Sequence, residues 1–115
     1  MRITSIKATN LSLTDAIKSR IESKALALEK LTKDFEPAAE LHIEVGKSTK
    51  HHSKGPFFVA EFQLCVPGSQ LRAVCEEENL YHAIGQARDQ VRRQLKEYKE
   101  KLRERSQHGV RQDKI

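Results

Sequence analysis

The chain has little of what marks most protein classes. Only two of its 115 residues are cysteine, Cys65 and Cys75. They form neither a CxxC pair nor a disulfide framework, which suits a reducing compartment. Apolar residues make up 37% of the chain, and no apolar run approaches the roughly 18 residues of a membrane span. The opening MRITSIKATN alternates polar and apolar residues and lacks the apolar block of a secretion signal. There is no internal repeat and no low-complexity segment. A chain of 115 residues supports one core rather than two. A secreted scaffold, a membrane protein and a multidomain enzyme do not fit. A small cytoplasmic domain does.

Signals for catalysis and metal binding are equally scarce. His51 and His52 are adjacent, with no cysteine or third histidine at ligand spacing, and read as solvated or phosphate-contacting. His42 faces outward on a strand that also carries Glu44. The segment GKSTK lacks the preceding glycine and following helix of a phosphate loop. No serine or cysteine has a recognisable base near it in sequence. The run Glu76, Glu77, Glu78 is accounted for by the positive end of a following helix. No enzyme, metal, cofactor or small-molecule substrate is therefore expected.

What the chain does have is positive charge. Lysine and arginine number 21 against 16 acidic residues, giving a net charge of +5 and a pI near 9.4. Charged residues reach 32%, above the typical figure of about 25%. The partner expected of such a surface is an anion.

Periodicity orders the elements. Residues 2–8 alternate as a strand at or near a sheet edge. Thr14 is the better N-cap for the helix that follows, with a Ser12–Asp15 capping box as the alternative. That helix runs to about Phe35 with Ile17, Ile21, Ala25, Leu28, Leu31 and Phe35 on one face, and Pro37 ends it. Strands are predicted at 40–46, 57–66 and 71–76, with Leu41, Ile43, Val45, Phe58, Ala60, Phe62, Leu64, Val66, Leu71, Ala73 and Cys75 inward. Cys65 falls on the outer face. Pro67-Gly68-Ser69 marks the turn between the last two strands, and GKSTKHHSKGP is a basic loop between the two before it. A long helix extends from Asn79 to about Glu104 with Leu80, Ile84, Ala87, Val91, Leu95, Tyr98 and Leu102 on its apolar face.

The order is β-α-β-β-β-α, an α+β fold. A right-handed crossover pairs the first two strands in parallel, hairpins add the others, and both helices cover one face of a four-stranded sheet. Residues 1–104 form the domain, and 105–115 are expected to be a flexible polar tail.

The last helix carries the functional signal. At about 100° per residue, Arg88, Arg92, Lys96, Lys99 and Arg103 fall within an arc of roughly 80° beside the apolar face. Across 88–105 there are eight basic and four acidic residues, and the signs are partly segregated instead of intermingled as i,i+4 ion pairs would favour. Helix one adds Arg20 and Lys24, and the basic loop adds Lys47, Lys50 and Lys54. Long basic side chains can also lie along a core edge purely for solvation. The stripe, the loop and the pI together favour nucleic acid. Neither helix-turn-helix nor zinc-finger spacing is present, so shape and phosphate recognition of folded RNA is the expected mode.

Three segments carry a family resemblance. They are ITSIKATNLSLTDAIKSRIESKALALEKL, FVAEFQLCVPGSQLRA and, most specifically, ENLYHAIGQARDQVRRQLKEYKEKL. Over about residues 3–102 the sequence resembles the ribosome hibernation-promoting factor family, which includes ribosome-associated inhibitor A. The resemblance implies a fold similar to a double-stranded RNA-binding domain. It also implies docking on the small ribosomal subunit and its rRNA near the A and P sites, where tRNA and mRNA are blocked and translation in idle, stressed or stationary-phase cells is inhibited. Lys24, Arg93 and Lys99 match basic positions of the family motifs. Gly85 stands where the family has Asp, and Gln90 and Glu97 stand where it has Lys. The length resembles the family's short form, and a monomer off the ribosome is expected. The rRNA-binding set is then Arg20, Lys24, Arg88, Arg92, Arg93, Lys96, Lys99 and Arg103. The alternatives are a general double-stranded RNA-binding module, or a protein-interaction module using 91–102 as a coiled-coil arm.

Overall fold

The computed structural model describes residues 1–48 and 57–113, with side chains as far as 105. Its elements are strand β1 (Arg2–Thr9), helix α1 (Asp15–Glu29), a 3-10 segment (Lys30–Phe35), strands β2 (Glu40–Ser48), β3 (Phe57–Val66) and β4 (Ser69–Glu77), and helix α2 (Leu80–Asp113). The sheet order is β1-β2-β3-β4. β1 pairs in parallel with β2, and the other two pairings are antiparallel. This is the α+β arrangement that the alternation predicts.

The inward set is buried as alternation requires, except Phe58, which is half-buried against the edge of the core. Leu41, Ile43 and Val45 of β2, Ala60, Phe62, Leu64 and Val66 of β3, and Leu71, Ala73 and Cys75 of β4 form the sheet side of one core. Ile21, Ala25 and Leu28 of α1 and Leu80, Ala83, Ile84, Ala87, Val91 and Leu95 of α2 close it from the other side. Phe62 is the largest fully buried side chain, placing the thickest part of the core under the middle of β3. The opposite sheet face is mostly polar, with Val74 exposed among its charged side chains. There Arg72 donates from Nε and Nη2 to both carboxylate oxygens of Glu61, each at 3.1 Å, and Ser5 Oγ lies 3.2 Å from His42 Nδ1.

Local chemistry sets the element ends. Thr14 Oγ1 accepts from the Ile17 amide at 3.2 Å, so Thr14 is the N-cap of α1. Asn79 Oδ1 accepts from the amides of Tyr81 and His82 at 2.8 and 3.3 Å, capping α2. Glu76 and Glu77 lie on β4, and Asn79 meets the first helical amides ahead of that run. Gly68 has φ +85° at the β3–β4 turn, the left-handed conformation that glycine adopts without strain.

Two helix ends differ from the periodicity. α1 stops at Glu29 and tightens into the 3-10 segment, where Thr32 is fully buried and its hydroxyl donates to the Glu29 carbonyl at 3.0 Å. That side-chain bond competes with the regular helical ladder and lets the last turn wind more tightly. The helical backbone of α2 continues past Glu104 to Asp113, a stretch without proline to stop it.

Candidate nucleic-acid interface

The basic arc of α2 turns toward α1, and the two helices share a junction that Arg20, Lys24 and Lys99 help to build. At one end the Arg20 guanidinium carbon lies 4.5 Å from the centroid of the Tyr81 ring, a stacked cation over an aromatic face. Arg20 is exposed and Lys24, one turn on, is half-buried. Between the helices is a groove of about 340 Å³ lined by Arg20, Lys24, Tyr81, His82, Gly85, Gln86 and Asp89. At the other end Lys99 Nζ donates to the Leu31 carbonyl at 3.1 Å and lies 3.3 Å from Asp34 Oδ2. Arg88 Nε donates to Asp89 Oδ1 at 2.7 Å, with only 18% of the Arg88 side chain exposed.

The other predicted residues behave differently. Arg92, Lys96 and Arg103 are exposed on the arc. Arg93 is exposed as well, but it projects about 100° round the helix from Arg92, among Glu97 and Glu100. None of these four has a hydrogen bond or ion pair with another described residue. Two guanidinium groups and one ammonium therefore point into solvent along one line, and Arg93 stands apart from that line. Lys47 is exposed at the end of β2. Lys50, Lys54, His51 and His52 lie outside the described residues.

Among the described residues, nothing on the sheet side matches this concentration of unpaired charge. The Arg72 guanidinium is held protonated still more firmly than usual by its hydrogen bonds and attraction to Glu61. Burial, with a smaller contribution from Glu77, pushes the Cys75 thiol up, so it stays a neutral core group. Cys65 is half-buried on the open face. No group of three or more metal-ligating side chains occurs among the described residues. No described helix is long and apolar enough to cross a membrane.

The groove wall on α2 was not legible from charge. Tyr81, Gly85 and Asp89 follow at intervals of four and so share a face, a signal open to sequence reading once α1 is known to pack there. Gln86 faces β4 as well, donating to Glu77 Oε1 at 2.6 Å.

Comparison with known proteins decides the family. The Sigma 54 modulation protein / S30EA ribosomal protein family matches residues 4–103. The chain belongs to this family. A ribosome hibernation promotion factor of Picosynechococcus is 35% identical over 99 residues, covering 84% of this chain and 48% of that protein. One of Deinococcus radiodurans is 26% identical over 110 residues, covering 95% of this chain and 55% of that protein. The chain thus spans about half the length of both relatives. Among solved structures, the N-terminal domain of Thermus thermophilus Protein Y superposes with a TM-score of 0.69 at 28% identity, covering 85% of this chain and 99% of that one. A ribosomal subunit interface protein from Coxiella burnetii shares the fold at a TM-score of 0.61 and 18% identity, covering 84% of this chain and 98% of that one.

Proposed function

We propose that this S30EA-family chain is a ribosome hibernation factor of the cytoplasm. It binds rRNA of the small ribosomal subunit near the A and P sites, excludes tRNA and mRNA, and so inhibits translation without catalysis. The observation that carries the reading is the line of unpaired cations, Arg92, Lys96 and Arg103, beside the α1–α2 junction of a domain from this family. Phosphate contacts need cations that are not already neutralised within the protein, and these three qualify. The relatives' names supply the ribosome as the partner.

The test is sedimentation of the purified protein with ribosomes, with separated subunits and with an isolated RNA duplex at matched salt. Co-sedimentation with whole ribosomes and small subunits, but not with large subunits, supports the reading. Duplex binding as tight as ribosome binding would make the protein a general double-stranded RNA-binding module instead. Inhibition of translation in vitro should be stoichiometric with ribosomes and relieved by excess initiation factors and initiator tRNA.

A further inference from the structure

Gly85 sits inside α2, where glycine is one of the poorest helix formers. Its conformation does not call for glycine, since its φ is not positive. Packing does not call for it either: a Cβ built there would meet nothing within 4 Å. Glycine at such a position lowers helix stability with no return inside the fold. The space left bare is the floor of the α1–α2 groove, on the same side of α2 as Arg92 and Lys96. The remaining physical use of a missing side chain is close approach of something else to the helix backbone.

The walls indicate what approaches. Lys24 and Arg20 put positive charge on the α1 side. Asp89, on the α2 side, is exposed and holds one carboxylate oxygen on Arg88, leaving Oδ2 as a free acceptor. A groove for phosphate alone gains nothing from a carboxylate. One that holds a phosphate at one wall and a hydroxyl donor at the other uses both. The volume, about 340 Å³, is at the small end of the roughly 300–1,000 Å³ of small-ligand sites, suited to a single nucleotide.

We propose that the groove between α1 and α2 is a subsite for one nucleotide of an RNA strand, with its phosphate on Lys24, its ribose 2′-hydroxyl on Asp89, and its sugar lying against bare Gly85. The proposal rests on the rRNA-binding reading and deepens it, because the 2′-hydroxyl is what separates RNA from DNA at a given contact. The subsite continues the line of Arg92 and Lys96, so one strand can run from the groove along the stripe.

Two variants test it, Gly85→Gln, which fills the floor without changing charge, and Asp89→Ala. Each is measured for ribosome sedimentation, for binding to a short RNA hairpin and the DNA hairpin of the same sequence, and for melting temperature. Gly85→Gln should weaken ribosome binding about tenfold, as expected for loss of one charge-assisted contact, with a melting temperature equal to or above that of the unsubstituted chain. Asp89→Ala should erase the preference for RNA over DNA. Ribosome binding by Gly85→Gln within twofold of the unsubstituted chain would overturn the subsite, as would Asp89→Ala binding both hairpins more tightly with the RNA preference intact. An unsubstituted chain that ignores ribosomes, yet prefers the RNA hairpin in a manner both variants abolish, would overturn the ribosome reading and leave the subsite standing.

Discussion

Lys99 of α2 donates its ammonium hydrogen to the carbonyl of Leu31, 68 residues earlier, at 3.1 Å. The carbonyl belongs to the 3-10 segment that ends the first helix, so the bond ties the two helices together at the far end of their junction. The aromatic pair beneath it, Phe35 and Tyr98 with ring centroids 6.1 Å apart, closes the same corner with apolar surface. Lys99 is thus a cation of the stripe by azimuth and a strut of the fold by contact. Two of its three N–H donors are engaged within the fold, leaving at most one for a phosphate.

Lys99→Ala should therefore lower stability by about 1–2 kcal/mol, the loss of one hydrogen bond from a charged donor. The ion pair to Asp34 adds little, since Asp34 is 75% exposed. Chemical denaturation gives the stability change. A change below about 0.3 kcal/mol, with ribosome affinity falling as far as for the stripe residues, would make Lys99 a binding residue and not a strut.

Arg92→Gln with Lys96→Gln should cost on the order of 2 kcal/mol in ribosome affinity, at about 1 kcal/mol for each lost charge-assisted contact. The comparison is Lys101→Gln with Arg105→Gln, which removes the same charge from exposed positions outside the arc. That pair should cost much less, because long-range attraction is screened beyond a Debye length of about 8 Å. Glutamine keeps helix propensity close to that of lysine and arginine, so both variants should fold. Equal losses for the two pairs, with circular dichroism unchanged, would mean that diffuse charge holds the protein.

Affinity for ribosomes should fall steeply with salt. Each neutralised phosphate contributes about −0.7 to −0.9 to the log–log slope, so the three unpaired cations of the stripe alone give a slope of about −2 to −3. A slope near zero, from sedimentation across a salt series, would remove phosphate contact as the main force.

At the β3–β4 turn, Gly68→Ala should destabilise by about 1–3 kcal/mol, because alanine resists a positive φ. The added methyl would also lie 2.6 Å from the Tyr98 hydroxyl, which donates to the Pro67 carbonyl at 2.7 Å. Tyr98→Phe should cost about 1 kcal/mol for that hydrogen bond. If Gly68→Ala in a Tyr98→Phe background costs as much as alone, the strain is in the backbone and not in the contact with the hydroxyl.

The two thiols should differ in reactivity. Cys75 is 5% exposed with its thiol pushed up by burial, while Cys65 is half-buried on the open sheet face. In the native protein, an alkylating reagent near pH 8 should modify Cys65 first and Cys75 only on unfolding. Mass spectrometry of the early time points would show a reversed order if the strand register were shifted by one residue.

The sheet was legible because its information is local. Alternation in ELHIEV and FFVAEFQLCV assigns each side chain to a face, and burial of Leu41, Ile43, Phe62 and Leu64 follows from period two alone. Thr14 and Gly68 were readable for the same reason, since a cap and a turn need only their neighbours. The stripe was legible as an azimuth on α2, but its division of labour was not. Which cation remains free depends on atoms far off in sequence: Lys99 on Leu31, Arg20 on Tyr81. Periodicity gives the direction in which a side chain leaves a helix, not what stands in its way. Arg93 shows the converse, a motif match whose azimuth places it away from the line of Arg92 and Lys96. The early end of α1 escaped because Thr32, a polar residue, takes a fully buried position that apolar periodicity cannot register.

The parallel ladder of β1 on β2 has a consequence for how the chain folds. Arg2 sits beside Glu40, 38 positions away, while β2, β3 and β4 follow one another as antiparallel neighbours. Closing the longer loop costs chain entropy before any ladder bond repays it. The three-stranded meander with α2 is therefore expected to form first, with the N-terminal strand adding afterwards. As an edge strand held from one side, β1 is also the first to peel away in the native state. Its amides should exchange with deuterated solvent well before those of β3, and substitutions at Ile3 or Ile6 should accelerate unfolding while leaving the folding rate almost unchanged.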